Sequence, residues 1–164
     1  MPIFEESIKV GRINNDKLDI LYKKLWGEDI IIEDIPEGSE IDKEGTDKII
    51  KVGNKSIKIQ EKKRQKDYGD FLLEIEHIFG DGRVKKGWFY KTDADYLVYY
   101  IIPTDRIYLI GMANLRNWVE NHTIFIDSLP WRESWNPKGN YTTRNKAIPW
   151  GLLLKEKVAV LFED

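Results

Sequence analysis

The first predicted element is an amphipathic helix near the start of the chain. From Asp16 to Trp26, apolar side chains occupy positions 18, 21, 22, 25 and 26, which is the spacing of one helical face. Asp16 suits the start of this helix, and Gly27 suits its C-terminal end. A short apolar strand, Ile30–Ile32, is expected to follow.

The next predicted element is a β-hairpin. Two runs rich in β-branched residues, Lys48–Val52 and Ser56–Lys63, flank the dipeptide Gly53-Asn54. Such a pair between two strand-like runs is a hairpin signal. The two runs are therefore expected to lie side by side and antiparallel.

The remaining pattern predicts further strands and helices. Tyr68–Phe79 fits both a helical face and a strand, so periodicity leaves that segment open. A buried strand is predicted at Ala94–Ile102, a second strand at Arg106–Ile110 and a helix at Met112–Val119. A long polar and aromatic loop is predicted over Asp127–Lys146. A last helix is predicted to begin at Pro149 and to carry Leu152, Leu153 and Val158. The pattern predicts a mixed α/β domain.

Composition narrows the class of protein. A chain of 164 residues with 41% hydrophobic residues fits one domain over residues 1–164, with one sizeable core. The absence of cysteine excludes disulfides, zinc ribbons and thiol nucleophiles. His77 and His122 lie far apart, which argues against a histidine-rich zinc site and assigns them structural or surface roles. No long apolar run is present, so we expect a cytoplasmic protein with no membrane partner.

Charge is distributed unevenly along the chain. Residues 1–47 hold 13 acidic and 6 basic residues, whereas residues 48–66 hold eight basic residues against Glu61 alone. This basic segment is either a solvated strand face or a zone that contacts a phosphate backbone. If the second interpretation holds, Lys58, Arg64 and Lys66 are the candidate nucleic-acid contacts.

The same hairpin has the residues for metal-dependent phosphodiester cleavage. That chemistry needs carboxylates to hold Mg²⁺ or Mn²⁺ and a cation to stabilise developing charge. Asp47 precedes the first strand, and Gln60-Glu61-Lys62-Lys63 ends the second. Side chains two apart on a strand share a face, which suits a metal ligand beside a lysine.

The segment GTDKIIKVGNKSIKIQEKKR, residues 45–64, resembles the PD-(D/E)xK nuclease superfamily. It is most similar to phage and bacterial members in which Q-x-K replaces E-x-K. Weaker similarity continues through DFLLEI, GWFYKTDADYLVYY and NKAIPW, at residues 70–75, 87–100 and 145–150. The resemblance implies a restriction endonuclease-like mixed β-sheet flanked by helices, a Mg²⁺ or Mn²⁺ cofactor and a DNA substrate. Many members act as dimers, so a homodimer is a further expectation.

Two registers of the motif are open. In the first, Gln60 and Lys62 form the pair on a consistently polar face, but glutamine supplies no carboxylate. The resemblance then implies that the backbone carbonyl of Glu61 binds the metal and that another acid, such as Glu74, completes the site. In the second, Glu61 and Lys63 form the pair on the face that Ile57 and Ile59 make apolar. Glu61 belongs to the site in both registers.

The resulting hypothesis assigns Asp47, Gln60, Glu61 and Lys62 to catalysis and Asp47, Glu61 and Glu74 to the metal. The lysine positions the water and stabilises the phosphate. The leading function is a metal-dependent DNA endonuclease. The alternatives are an inactive nucleic-acid-binding module of the same fold and a phage accessory or protein-interaction protein.

Each candidate residue also has a purely structural interpretation. Asp47 would cap a turn, Glu61 and Lys62 would form a weak surface ion pair, and Glu74 would face solvent. Trp131 and Trp135, which lie among basic residues, would either stack on exposed bases or anchor a loop. No phosphate-binding glycine loop and no sequence context of an HNH nuclease accompany these residues.

Overall fold

The computed structural model describes residues 17–43 and 45–163. Its first element is helix α1, residues 17–26, which agrees with the predicted amphipathic helix. The proposed start at Asp16 lies outside the described residues. Gly27 ends the helix with φ +108°, and its N–H donates to the Lys23 carbonyl at 2.8 Å. That conformation favours glycine because it has no Cβ.

The large sheet has six strands in the order β1-β2-β3-β6-β7-β10. Their bounds are Ile31–Asp34, Lys48–Val52, Lys55–Arg64, Tyr96–Ile101, Arg106–Gly111 and Ala159–Phe162. β3 pairs antiparallel with β2 and parallel with β6, and the other neighbours are antiparallel. β3 is therefore an interior strand, held on both sides.

The small sheet has four antiparallel strands in the order β5-β4-β9-β8. Their bounds are Val84–Lys86, Asp70–Phe79, Tyr141–Pro149 and Trp131–Asn136. The register of β4 against β9 shifts between Glu74 and Glu76, which marks an irregularity of the β-bulge type. Such irregularities change the direction of a strand and re-aim its side chains.

Apolar side chains form two cores on opposite faces of the large sheet. One contains Leu18, Leu21 and Tyr22 of α1 against Ile50 and Ile59. The other contains apolar residues of β4, β6, β7 and β9 with those of the remaining helices, α3 (Trp88–Lys91), α4 (Met112–Asn121), α5 (Thr123–Ser128) and α6 (Trp150–Lys155). Helix α2 (Glu40–Lys43) contributes no buried residue. Among the described helices, none has the length and apolar composition needed to cross a bilayer.

The mixed α/β class, the hairpin, the two central strands and the helix at Met112 are confirmed. Within the open segment Tyr68–Phe79, residues Asp70–Phe79 form strand β4. The polar loop predicted over Asp127–Lys146 is wrong, because β8 and most of β9 lie there. β8 has no buried residue, so its sequence lacks an alternating pattern, and its pairing comes from β9. The last helix ends at Lys155, and the chain then forms the missed strand β10.

Candidate functional site

Strand β3 presents different chemistry on its two faces. Alternate residues of a strand point to opposite faces. Ile57, Ile59 and Glu61 point towards α1, whereas Gln60 and Lys62 point towards the second core and the small sheet. The two candidate registers therefore correspond to the two faces of one strand.

The Glu61 carboxylate is enclosed beneath α1. Its Oε2 accepts a hydrogen bond from the Tyr22 hydroxyl at 2.5 Å and lies 3.2 Å from Lys48 Nζ. The Glu61 side chain is only 8% exposed and that of Lys48 only 4%. Burial lowers the pKa of Lys48, but the attraction of Glu61 and Asp19 outweighs it, so the net shift is upward. This cluster joins α1 to the sheet and leaves the Glu61 side chain turned away from Gln60.

The opposite face of β3 opens onto a pocket of about 240 Å³, which we call the site pocket. Gln60 and Lys62 line it together with Glu74 of β4, so it joins the two sheets. Its other lining residues are Asp42, Lys43, Gly45, His77, Trp88, Lys91 and Thr92. The geometry thus brings the Gln60–Lys62 pair to Glu74, which lies more than ten positions further along the chain.

Gln60 carries an unsatisfied oxygen in this pocket. The residue is 7% exposed, and its Oε1 has no hydrogen-bond partner in the described part of the chain. Buried polar atoms are nearly always paired, so an oxygen without a protein partner beside a pocket is open to a ligand or a water molecule. Gly45 leaves the room that it needs. With φ +88° at Gly45, an added Cβ would lie 3.1 Å from that oxygen and 2.7 Å from Thr92 Oγ1.

Asp47 is fixed at the joint between β2 and β3. Its Oδ2 accepts a hydrogen bond from the Glu61 N–H at 2.7 Å, and its own N–H donates to the Ile59 carbonyl at 2.8 Å. Burial raises the pKa of Asp47, and the negative charges of Glu61 and Asp42 add to the rise. The Glu61 N–H and Lys62 oppose that shift. The carboxylate is thus held next to the Gln60–Lys62 segment at an energetic cost, as functional acids often are.

Glu74 is also held in a defined position. Its Oε1 accepts a hydrogen bond from the backbone N–H of Trp88 at 3.0 Å and lies 2.6 Å from His77 Nε2. Lys62 Nζ lies over the Trp88 ring, 5.4 Å from the ring centroid. Among the described residues, Lys62 has no carboxylate close enough for an ion pair. Its ammonium group lies over the Trp88 ring and interacts with the Asp47 charge without forming a direct ion pair among the described residues.

The donor set suits a hard divalent cation. Asp47, Glu74 and Gln60 offer carboxylate and amide oxygens, which Mg²⁺ and Mn²⁺ accept. Within residues 17–43 and 45–163, no group of three acidic, histidine or cysteine side chains is arranged to hold a metal ion. A metal here would therefore use the Gln60 amide beside the two acids, and the orphaned Gln60 oxygen fits that role.

The proposed nucleic-acid contacts have different environments. Lys58 Nζ lies 2.6 Å from the Asp93 carboxylate. Burial of Asp93 raises the pKa of its carboxyl group, but hydrogen bonds from Lys58 and Thr46 outweigh burial, so the net shift is downward. Arg64 donates to the Asp70 carbonyl oxygen and lies over the rings of Tyr68 and Tyr99. Lys66 is exposed. A phosphate would have to compete with existing partners at Lys58 and Arg64.

The aromatic residues of β8 form part of the small sheet. The Trp131 ring contacts two cations, Arg144 at 3.9 Å from its centroid and Lys146 at 4.0 Å. Both cations belong to β9, so the Trp131 ring anchors one strand to the next. Trp135 remains 56% exposed. The anchoring interpretation fits Trp131 better than base stacking does.

Sequence reasoning missed His77, Trp88 and Gly45 as members of the site. Their signal was weak, because a lone histidine and a glycine in a turn occur in most proteins. Only the approach of β4 to β3 brings them to Gln60 and Lys62. Comparisons of the chain with protein-family models, with curated proteins and with solved structures give no match.

Proposed function

We propose that this protein is a divalent-metal-dependent DNA endonuclease whose site uses the Gln60–Lys62 register of a Q-x-K motif on a restriction endonuclease-like fold. The observation that supports it best is the convergence of Gln60, Lys62 and Glu74 on one pocket. Asp47 lies at the same end of β3, bonded to the residue between the motif's two members. Among the described residues, the site combines an amide oxygen without a hydrogen-bond partner, a lysine without an ion pair and two positioned acids. Metal-assisted hydrolysis uses oxygen ligands and a cation of this kind.

Asp47, Glu74 and the Gln60 amide would hold the ion. The resemblance adds the backbone carbonyl of Glu61, while the Glu61 side chain keeps its structural role beneath α1. When bound, such an ion polarises the phosphate and lowers the pKa of a water molecule. The pocket residues supply oxygen ligands of the kind that Mg²⁺ and Mn²⁺ prefer.

Lys62 would carry the electrostatic part of the reaction. In hydrolysis, a water oxygen forms a bond to phosphorus while the bond from phosphorus to a deoxyribose oxygen breaks. Negative charge grows on the phosphoryl oxygens, and the leaving oxygen takes a proton. A positioned ammonium group stabilises that charge, because it needs little rearrangement during the step. The contact of Lys62 with the Trp88 ring keeps the ammonium group in place.

Cleavage of supercoiled plasmid and of short branched DNAs, with Mg²⁺, Mn²⁺ or EDTA, tests the proposal. Wild type is run beside Asp47→Ala. We expect nicking that needs the metal and that disappears in the variant, while circular dichroism shows the same fold. Full activity of Asp47→Ala would refute the site.

A second function follows from the neutral side chain of Gln60. Without a third carboxylate, the fold would serve as a nucleic-acid-binding module that does not cleave. That function requires salt-dependent DNA binding, because phosphate contacts release counterions. Binding without metal-stimulated cleavage would favour it over the nuclease.

A further inference from the structure

One cation of α3 lines the site pocket, and two cations of the small sheet lie on the face of that sheet that carries residues of the pocket. Lys91 lines the pocket itself. Lys85 of β5 lies directly opposite His77 of β4, and His77 also lines the pocket. Arg132 of β8 lies opposite Asn145 of β9, which in turn lies opposite Glu74. Residues directly opposite each other in a sheet share a face, so Lys85 and Arg132 point to the side of the sheet that faces the pocket.

These three residues, which we call the basic rim, carry positive charge that the fold leaves unused. All three are exposed, and among the described residues none of them forms an ion pair. By contrast, Arg144 on the other face of the small sheet is neutralised by Glu76 and Glu133 at 2.9 and 3.0 Å. Like charges placed around one opening repel one another, and a polyanion relieves that repulsion.

An aromatic row fixes the position of one rim cation. His77 stacks on Tyr141 with ring centroids 4.6 Å apart, and Phe79 packs on Tyr141 at 5.4 Å. Lys85 Nζ lies 5.2 Å from the Phe79 centroid. The row continues from the pocket towards the end of β4, so a charged surface extends outwards from the site.

The spacing of the rim matches a nucleic-acid backbone. Lys85 and Arg132 lie on the two outer strands of a four-stranded sheet, and at about 4.8 Å per strand these strands are roughly 15 Å apart across the sheet. That separation spans several charges of one DNA strand, which advance about 3.4 Å each along the helix axis. Cations on both sides of the pocket would therefore contact phosphates on either side of the one that enters it.

We propose that the basic rim, Lys85, Lys91 and Arg132, is the surface that binds the DNA backbone and delivers it to the site pocket. This inference rests on the proposed function. It differs from the expectation that the basic segment after residue 48 makes these contacts, because Lys58 and Arg64 already have protein partners.

The test is DNA binding by fluorescence anisotropy, with a short fluorescein-labelled duplex and Ca²⁺ in place of Mg²⁺ so that binding is read without cleavage. The triple variant Lys85→Ala/Lys91→Ala/Arg132→Ala is compared with wild type. Its control is Lys23→Ala/Lys24→Ala/Lys55→Ala, which removes the same charge from exposed residues of α1 and from the exposed first residue of β3. Circular dichroism melting confirms that both fold, and a Lys85→Gln/Lys91→Gln/Arg132→Gln variant replaces the first if it does not.

We expect the rim variant to bind about tenfold or more weakly at moderate salt. The slope of log K against log [salt] should also become shallower by roughly 0.9 for each lost phosphate contact. The control should bind like wild type. Equal binding by the rim variant and wild type would overturn the rim, as would an equal loss in the control.

Cleavage assays on the same proteins separate this inference from the proposed function. Metal-dependent cleavage by wild type, together with unchanged binding by the rim variant, would refute the rim and leave the nuclease standing. Rim-dependent binding without cleavage would keep the rim and refute the nuclease. A wild type that neither binds nor cleaves DNA would refute both.

Discussion

Lys48 Nζ lies 3.2 Å from Glu61 Oε2, and both side chains are almost withdrawn from water. The E-x-K spacing of Glu61 and Lys63 predicts that the Glu61 carboxylate binds a metal ion. The fold instead uses its side chain to join β2 and β3 to α1, through Lys48 and Tyr22. Removing one member of such a pair leaves an uncompensated charge in the interior.

Replacement of Lys48 is therefore expected to affect stability. We expect Lys48→Met to lower the free energy of unfolding by about 3–5 kcal/mol, because Glu61 loses its countercharge. Urea denaturation followed by circular dichroism measures this. The control is Lys51→Met on the same strand, where an exposed pair with Glu33 at 3.3 Å should contribute no more than about 1 kcal/mol. Equal losses in the two variants would contradict the structural role of the pair.

Two neighbouring lysines distinguish the registers. We expect Lys62→Ala to reduce the cleavage rate by about 10²–10³, the usual cost of losing one group that stabilises transition-state charge. Lys63→Ala should stay close to wild type, because Lys63 is an exposed residue that does not line the site pocket. Single-turnover cleavage of a labelled duplex measures both rates. The reverse result would establish Glu61–Lys63 as the active pair.

Gln60→Glu adds a carboxylate to the pocket, which Glu74 also lines. We expect its melting temperature in EDTA to fall, because the new charge joins Asp47 and Glu74 in a partly buried place. Mn²⁺ should reverse the loss, since a ligand present at a hundred times its Kd stabilises the folded state by about 2.7 kcal/mol. Thermal melts of wild type, Gln60→Glu and Gln60→Leu, with and without Mn²⁺, measure this. A metal shift in Gln60→Glu no larger than in wild type would place the ion elsewhere.

Asp47 gives a prediction about pH. Burial raises its pKa in the folded protein, so the folded state favours the protonated form more than the unfolded state does. The ionised Asp47 carboxylate lowers the stability of the folded state. This cost is absent below the ordinary aspartate pKa of about 3.9, and it grows as the pH rises from there through the raised pKa of the folded state. Asp47→Asn removes that cost. Without metal, the free energy of unfolding of Asp47→Asn minus that of wild type should therefore be larger near neutral pH than in acid.

Urea denaturation of both proteins across that pH range checks the sign. Asp29→Asn is the control, because Asp29 is an exposed residue after α1 that does not line the site pocket and does not contribute to the Asp47 shift. A stability difference that shrinks as the pH rises would show that Asp47 is not destabilised by burial. Asp47→Asn should be inactive at every pH.

The elements that the sequence predicted well are those that local chemistry determines. The turn at Gly53 and the β-branched runs beside it define β2 and β3 within a few residues. Helix α1 follows from the spacing of Leu18, Leu21 and Tyr22 in the same way. Strand β8 was missed because both its faces are exposed, so no alternation records its pairing with β9.

The candidate site was only partly accessible from the sequence. The spacing of Gln60 and Lys62 identified a pair on one face, and Glu74 was included as a possible third member. The partner of Glu61 could not be seen, because Tyr22 lies 39 residues away and meets it only when α1 packs on the sheet. The contribution of His77 depends equally on the packing of the two sheets.

The alternation along β3 has a consequence for how this chain tolerates change. An insertion or deletion of one residue between Gly53 and Gln60 would exchange the two faces. The Glu61 carboxylate would then enter the site pocket, and the Gln60 amide would be buried beneath α1 opposite Lys48. Insertions and deletions in this hairpin are therefore expected to preserve the site only when they change its length by two residues, because a change of two keeps each side chain on its own face.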